Sequence, residues 1–118
     1  MPKKFYTHYL PAIVWAIIIF ILSSVPGDEY PSAVFDYSII AHILEYFVLA
    51  ILISRAFKKT KNQLVWSFLL SALFALSDEL HQSFVVYRSS SAGDFLIDMA
   101  AIILGIVFYQ LMAKLQTR

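Results

Sequence analysis

Four long apolar runs, separated by short clusters of charge, constrain this chain more than any other feature of its sequence. A helix that crosses a bilayer needs about 20 predominantly apolar residues. Runs of that kind occupy residues 9–25, 38–57, 63–82 and 94–112. In water they would leave apolar patches far larger than a monomeric domain exposes. Composition agrees: 60% of residues are hydrophobic and 14% are charged, against about half and about a quarter in soluble domains. The reading is all-α, a four-helix transmembrane bundle forming one integral membrane domain over residues 1–118. Short connections favour antiparallel packing of sequence neighbours.

Several function classes drop out. There is no cysteine, which removes disulfides, thiolate metal sites and thiol nucleophiles. A net charge of +1 gives no basic field, so no nucleic-acid partner is expected. No cofactor motif is present. The start of the chain, with Lys3 and Lys4 before an apolar run that Pro26 and Gly27 end, has the outline of a signal peptide. Three further spans follow it, so it is read as the first span and not as a cleaved leader.

The connections set an orientation. Lys3 and Lys4, then Arg55, Lys58, Lys59 and Lys61, then Lys114 and Arg118 all fall on one side if the chain crosses four times. The positive-inside rule makes that side cytoplasmic, with both termini inside a bacterial cytoplasmic membrane. All eight acids fall towards the other side: Asp28, Glu29 and Asp36 in the first connection, Glu45 two turns into span two, Asp78 and Glu79 at the end of span three, and Asp94 and Asp98 at the start of span four. Arg88 is the one basic residue that shares their side. Acids contribute little to topology, so their segregation is independent information.

Asp28, Glu29 and Asp36 read as solvated loop charge, and Tyr30, Phe35, Tyr37, Phe84 and Tyr87 as interfacial anchors. The remaining acids have company. His42, Glu45 and Tyr46 are spaced i, i+3, i+4, and Asp78, His81 and Gln82 repeat that spacing, with Glu79 about 100° round the helix. Asp94 and Asp98 are one turn apart; Asp94 also follows a Ser-Ser-Ser-Ala-Gly stretch in the manner of an N-cap. Small residues mark inward faces, Ser67, Ser71 and Ala75 in line with Asp78 and Gln82, and Ala101 and Gly105 in line with Asp94 and Asp98. Ionisable groups at membrane depth are costly facing lipid and default to being paired or functional. The expected pocket is therefore His42, Glu45, Tyr46, Asp78, Glu79, His81, Gln82, Arg88, Asp94 and Asp98, with no catalytic residue assigned.

Three chemistries compete for it. His42, Glu45, Asp78, Glu79 and His81 are competent divalent-metal ligands, but their spacing matches no standard metal signature, and no metal is assigned. Arg88 beside His81 at the membrane surface suits a phosphate or carboxylate head group. A proton relay is disfavoured, because beyond Arg55 near the end of span two no charged residue continues into the cytoplasmic half of any span. A polar cluster that only fixes helix packing is the structural alternative.

The order H-x-x-E-Y, then S-D-E-x-H-Q-x-F, then Arg, then D-x-x-x-D and Gly resembles the VanZ-like family. Those residues here are His42, Glu45 and Tyr46; Ser77, Asp78, Glu79, His81, Gln82 and Phe84; Arg88; and Asp94, Asp98 and Gly105. The run from Asp78 to Asp94 is the specific part. Two departures stand out: the family commonly has Asn where this chain has Asp98, and often a Lys shortly before the first His, where this chain has Tyr37 to Ile40. The family takes its name from a membrane protein that contributes to teicoplanin resistance. The resemblance thus implies a multi-pass membrane protein whose outer-face pocket meets an anionic lipid-linked or cell-envelope component, with glycopeptide resistance as the associated phenotype. A metal-dependent intramembrane hydrolase is the enzymatic alternative.

Overall fold

The computed structural model describes residues 3, 5–24, 37–84 and 92–116, the side chains of residues 37, 38, 92 and 94 excepted. Among these residues all regular structure is helical. A π-helical turn, Phe5–Tyr9, runs into helix α1, Leu10–Ser23. Helix α2 is Tyr37–Ala56, α3 is Gln63–Gln82 and α4 is Ala92–Gln116. All four are long and apolar enough to cross a membrane, the first as Phe5–Ser23. Twenty residues of helix reach about 30 Å, the thickness of a bilayer's hydrocarbon core.

The expected span over 63–82 coincides with α3, and the one over 38–57 with α2 to within a residue at each end. The first and last spans differ. The first helix begins at Phe5, not near residue 9, because its wide π turn precedes Pro11, whose ring lacks the N–H that an α-helical turn would use. Helix α4 starts at Ala92, which puts Asp94 in its first turn and not at its cap, and runs on to Gln116.

Outward faces are apolar at every level. Ile17, Ile21, Leu69, Leu73, Leu80, Leu104 and Leu111 are all exposed, as befits side chains whose solvent is lipid. Small and aliphatic residues fill the interior instead. Ser67, Ser71 and Ala75 of α3 are buried, with Leu49 and Ala50 of α2 and Ala101 and Ile102 of α4. Helix α2 is central and packs most extensively on α4. Their approach depends on Gly105, where an added Cβ would stand 2.5 Å from the Phe47 carbonyl oxygen and 2.9 Å from the Ala50 Cβ. Lipid gives helices no hydrophobic reason to associate, so this close contact between backbones is the kind of packing that holds such bundles together.

The α2–α3 connection carries the basic cluster Lys58, Lys59 and Lys61 and turns at Asn62, in the left-handed conformation (φ 64°) that Asn tolerates better than most residues. At this basic end Gln63 ties three helices: its Nε2 donates to the Ser54 carbonyl at 2.7 Å, and its Oε1 accepts from Gln110 Nε2 at 2.9 Å. Interhelical hydrogen bonds in membranes contribute roughly 0.6–2 kcal/mol each. Gln63→Ala is therefore expected to lower the unfolding midpoint in detergent modestly, and Gln110→Ala less, because it breaks only one of the two bonds.

Helix α1 is peripheral. Its buried residues are Ile19 and Ser23, and Trp15 Nε1 donates to the Glu45 carbonyl of α2 at 2.9 Å. Below that bond α1 does not close on its neighbours: an apolar groove of about 230 Å³ lies among Ala12, Ala16, Leu49, Ile53, Leu70 and Phe74.

Candidate functional site

Where α2 begins, α3 ends and α4 begins, the interior changes character. Every buried ionisable side chain among the described residues is here: His42, Asp78, Glu79 and Asp98, none more than 7% exposed. Tyr46 and Gln82 are buried with them. Helical geometry explains the grouping. Taking Asp78 as zero, Gln82 lies about 40° and Glu79 about 100° round α3 in the same sense, so the three share one arc. That arc faces His42 and Tyr46, one turn apart on α2, and Asp98, nearly two turns into α4.

Two hydrogen bonds fix the site. His42 Nδ1 donates to Asp98 Oδ1 at 2.8 Å, joining α2 to α4. Tyr46 Oη donates to Asp78 Oδ2 at 2.9 Å, joining α2 to α3, and Gln82 Nε2 lies 3.4 Å from the same oxygen. The His42 and Tyr46 rings lie nearly parallel, 6.3 Å between centroids. Glu79 completes the cluster: one ligand-competent atom from each of His42, Glu79 and Asp98 lies within 4.8 Å of the others. Charged hydrogen bonds in so little water are strong, and leaving any member unpaired is costly.

Not every expected residue joins this cluster. His81 lies about 60° from Asp78 in the opposite sense to Gln82 and turns towards α1. Its Nε2 shares a 2.8 Å hydrogen bond with Ser24 Oγ, and its ring stacks on Phe20 at 4.1 Å. Glu45 is half-buried on α2, close enough to act on His42 through its charge. Asp94 is placed by backbone alone, in the first turn of α4. Arg88 lies outside the described residues, as do Asp28, Glu29 and Asp36.

Three residues around the site are absent from the pocket read off the sequence. Trp15, Phe20 and Ser24 bring α1 against α2 and α3. Trp15 alone carries a signal, since an indole N–H inside an apolar span needs a carbonyl to donate to.

Chemically the site is a dead end. Inward from it the core is Leu49, Ala50, Ile53, Ala101, Ile102 and Ile106, and the fully buried polar side chains below it are, among the described residues, the hydroxyls of Ser54, Ser67 and Ser71. A site so built can hold a proton, a cation or a polar head group arriving from one face; among the described residues no buried ionisable group continues from it towards the other end.

No curated protein and no solved structure matches the chain. A family pattern does, from His8 near the start of the first helix to Ala113 in the last turns of α4, and so takes in all four helices and every residue of the buried cluster. With that match over residues 8–113, the chain belongs to the VanZ/LLP1 family and is a multi-pass membrane protein.

Proposed function

We propose that the buried cluster is the floor of a one-sided pocket that recognises or processes an anionic lipid-linked or cell-envelope component. The observation that carries this reading is the confinement, among the described residues, of the fully buried ionisable groups to one end of a bundle whose remaining buried interior is apolar or weakly polar. A purely structural network has no need to gather at one membrane face; a head-group site does. Arg88 belongs to the connection from α3, which carries Asp78, Glu79 and Gln82 near its end, to α4, which carries Asp98 in its first two turns, and supplies the cation an anionic ligand requires.

The reading requires the acidic end to face outward in a bacterial cytoplasmic membrane, with both termini cytoplasmic. The basic residues at the other end, Arg55, Lys58, Lys59, Lys61 and Lys114, support that orientation. Fusions made after residue 118 should fluoresce with a cytoplasmic reporter and give no alkaline phosphatase activity, and a phosphatase placed between spans one and two should be active. The opposite pattern would remove the outer-leaflet ligand.

The direct test is binding of a polyprenyl phosphate to protein in detergent, followed by native mass spectrometry. Arg88→Ala is expected to weaken it at least tenfold, which corresponds to about 1.4 kcal/mol, without moving the unfolding midpoint. Binding that survives Arg88→Ala intact, or that is absent in the parent protein, would sink the reading. A link to glycopeptide resistance follows only if the variant that loses binding also loses any protection from teicoplanin.

A further inference from the structure

We infer that His42, Glu79 and Asp98 form a binding site for a divalent transition-metal ion, zinc or manganese. The inference is independent of the anionic ligand proposed above.

Three different helices supply the ligands: α2 gives an imidazole, and α3 and α4 each give a carboxylate. All three side chains are buried, and one donor atom from each lies within 4.8 Å of the other two. A tetrahedral ion with bonds of about 2.1 Å sets its donor atoms roughly 3.4 Å apart. The His42 Nδ1 to Asp98 Oδ1 distance of 2.8 Å is that of two atoms sharing a proton. If those are the donor atoms, an ion in the proton's place parts them by about 0.6 Å, which a small torsion of either side chain supplies. One nitrogen and two carboxylate oxygens is a donor set that zinc and manganese both accept.

Charge points the same way. Asp78 lies beside this trio, 1% exposed, with one oxygen bonded to Tyr46 and the other, Oδ1, with no hydrogen-bond partner among the described residues. Three buried carboxylates thus share this space with one imidazole. Counting His42 as protonated and adding Arg88 at full charge, carboxylates still exceed cations by one, before Glu45 and Asp94 are considered. Negative charge in so poor a dielectric is neutralised by protons or by a cation. A divalent ion satisfies both the charge and the geometry. The metal-competent set read from the sequence, His42, Glu45, Asp78, Glu79 and His81, leaves out the third ligand, Asp98, because spacing within one helix does not show which side chains of α4 meet α2 and α3.

The test uses full-length protein carrying a tag without histidine, purified in detergent, stripped with EDTA and offered Zn²⁺ or Mn²⁺ alone. Elemental analysis should find close to one ion per chain, and occupancy should raise the thermal midpoint, since the ion binds only the folded bundle. Glu79→Gln and Asp98→Asn keep the size and a hydrogen-bonding oxygen while removing the charge; each should lower affinity tenfold or more. His8→Ala, at the far end of α1, should bind as the parent does. Uptake well below one ion per chain overturns the proposal, as does uptake undiminished in either Glu79→Gln or Asp98→Asn. Because the readout is metal content and not lipid binding, its failure is distinct from failure of the head-group reading.

Discussion

Replacing Gly105 with leucine should push α4 off α2 and abolish the compact bundle in detergent. The cause is local and steric. Even an ideal Cβ at this position meets the Phe47 backbone oxygen at 2.5 Å, and a carbonyl held in helix hydrogen bonds cannot swing aside as a side-chain tip could. Alanine is the more informative change. In an isolated helix it is favoured over glycine by about 1 kcal/mol, so propensity alone predicts stabilisation. Overpacking a filled interface costs about 1–3 kcal/mol, and here the obstruction is backbone, so Gly105→Ala is expected to destabilise. Ala100→Leu, an exposed position on the same helix, is expected to have little effect. Unfolding midpoints by differential scanning fluorimetry in one detergent would rank the three. A neutral or stabilising Gly105→Ala would mean that α2 and α4 are not in the contact described.

Tyr46 should be the most sensitive single side chain in the polar half. It is fully buried, packs near Phe74 and His42, and donates to Asp78. Truncating a buried aromatic to alanine typically costs about 3–5 kcal/mol. Tyr46→Phe isolates the hydroxyl. It leaves the Asp78 Oδ2 atom with only the longer 3.4 Å contact from Gln82, so a cost of about 1–3 kcal/mol is expected for an under-satisfied buried acceptor. Asp78→Asn in the Tyr46→Phe background should then cost less than it does alone, because the partner is already gone. The same set separates function from packing. If Tyr46→Phe and Asp78→Asn lower stability while ligand binding per folded molecule stays constant, this half of the cluster is scaffold and the ligand lies elsewhere.

Much of this was legible in the sequence, and what was not has a definite cause. Apolar run length is a strong signal because lipid thickness fixes it, and α3 was bounded on both sides by polar residues, Asn62 and Ser83. The inward stripes were legible because small residues repeat at helical spacing; Ser67, Ser71, Ala75, Asp78 and Gln82 are indeed all buried. The site was readable as a neighbourhood but not as a geometry. Grouping Asp78, His81 and Gln82 by the i, i+3, i+4 rule treats both flanks of an arc alike. Which flank is inward depends on where the partners stand: α2 and α4 take the Glu79 side, and α1 takes the His81 side. Pairings such as His42 with Asp98 cross 56 residues and depend on how α2 and α4 rotate about Gly105, which no local pattern records. The early start of the first helix was hidden by Thr7 and His8, polar residues that interrupt the apolar run just after Phe5 and Tyr6.

The peripheral placement of α1 also bears on how the molecule is made. From Phe5 to Ser23 this helix has no acidic residue, lysine or arginine, so it can leave the translocon and rest in lipid without a partner. Its three successors have no such independence. Helix α2 carries His42 and Glu45, α3 carries Asp78 and Glu79, and α4 carries Asp98, each a poor guest of the bilayer until the others arrive. The order of synthesis then matters: α1 can settle in lipid as soon as it is made, whereas the buried acids of α3 and the imidazole of α2 gain all their partners only when α4 arrives. A chain ending before residue 98 would still hold the Tyr46–Asp78 bond but would leave His42 without its carboxylate partner.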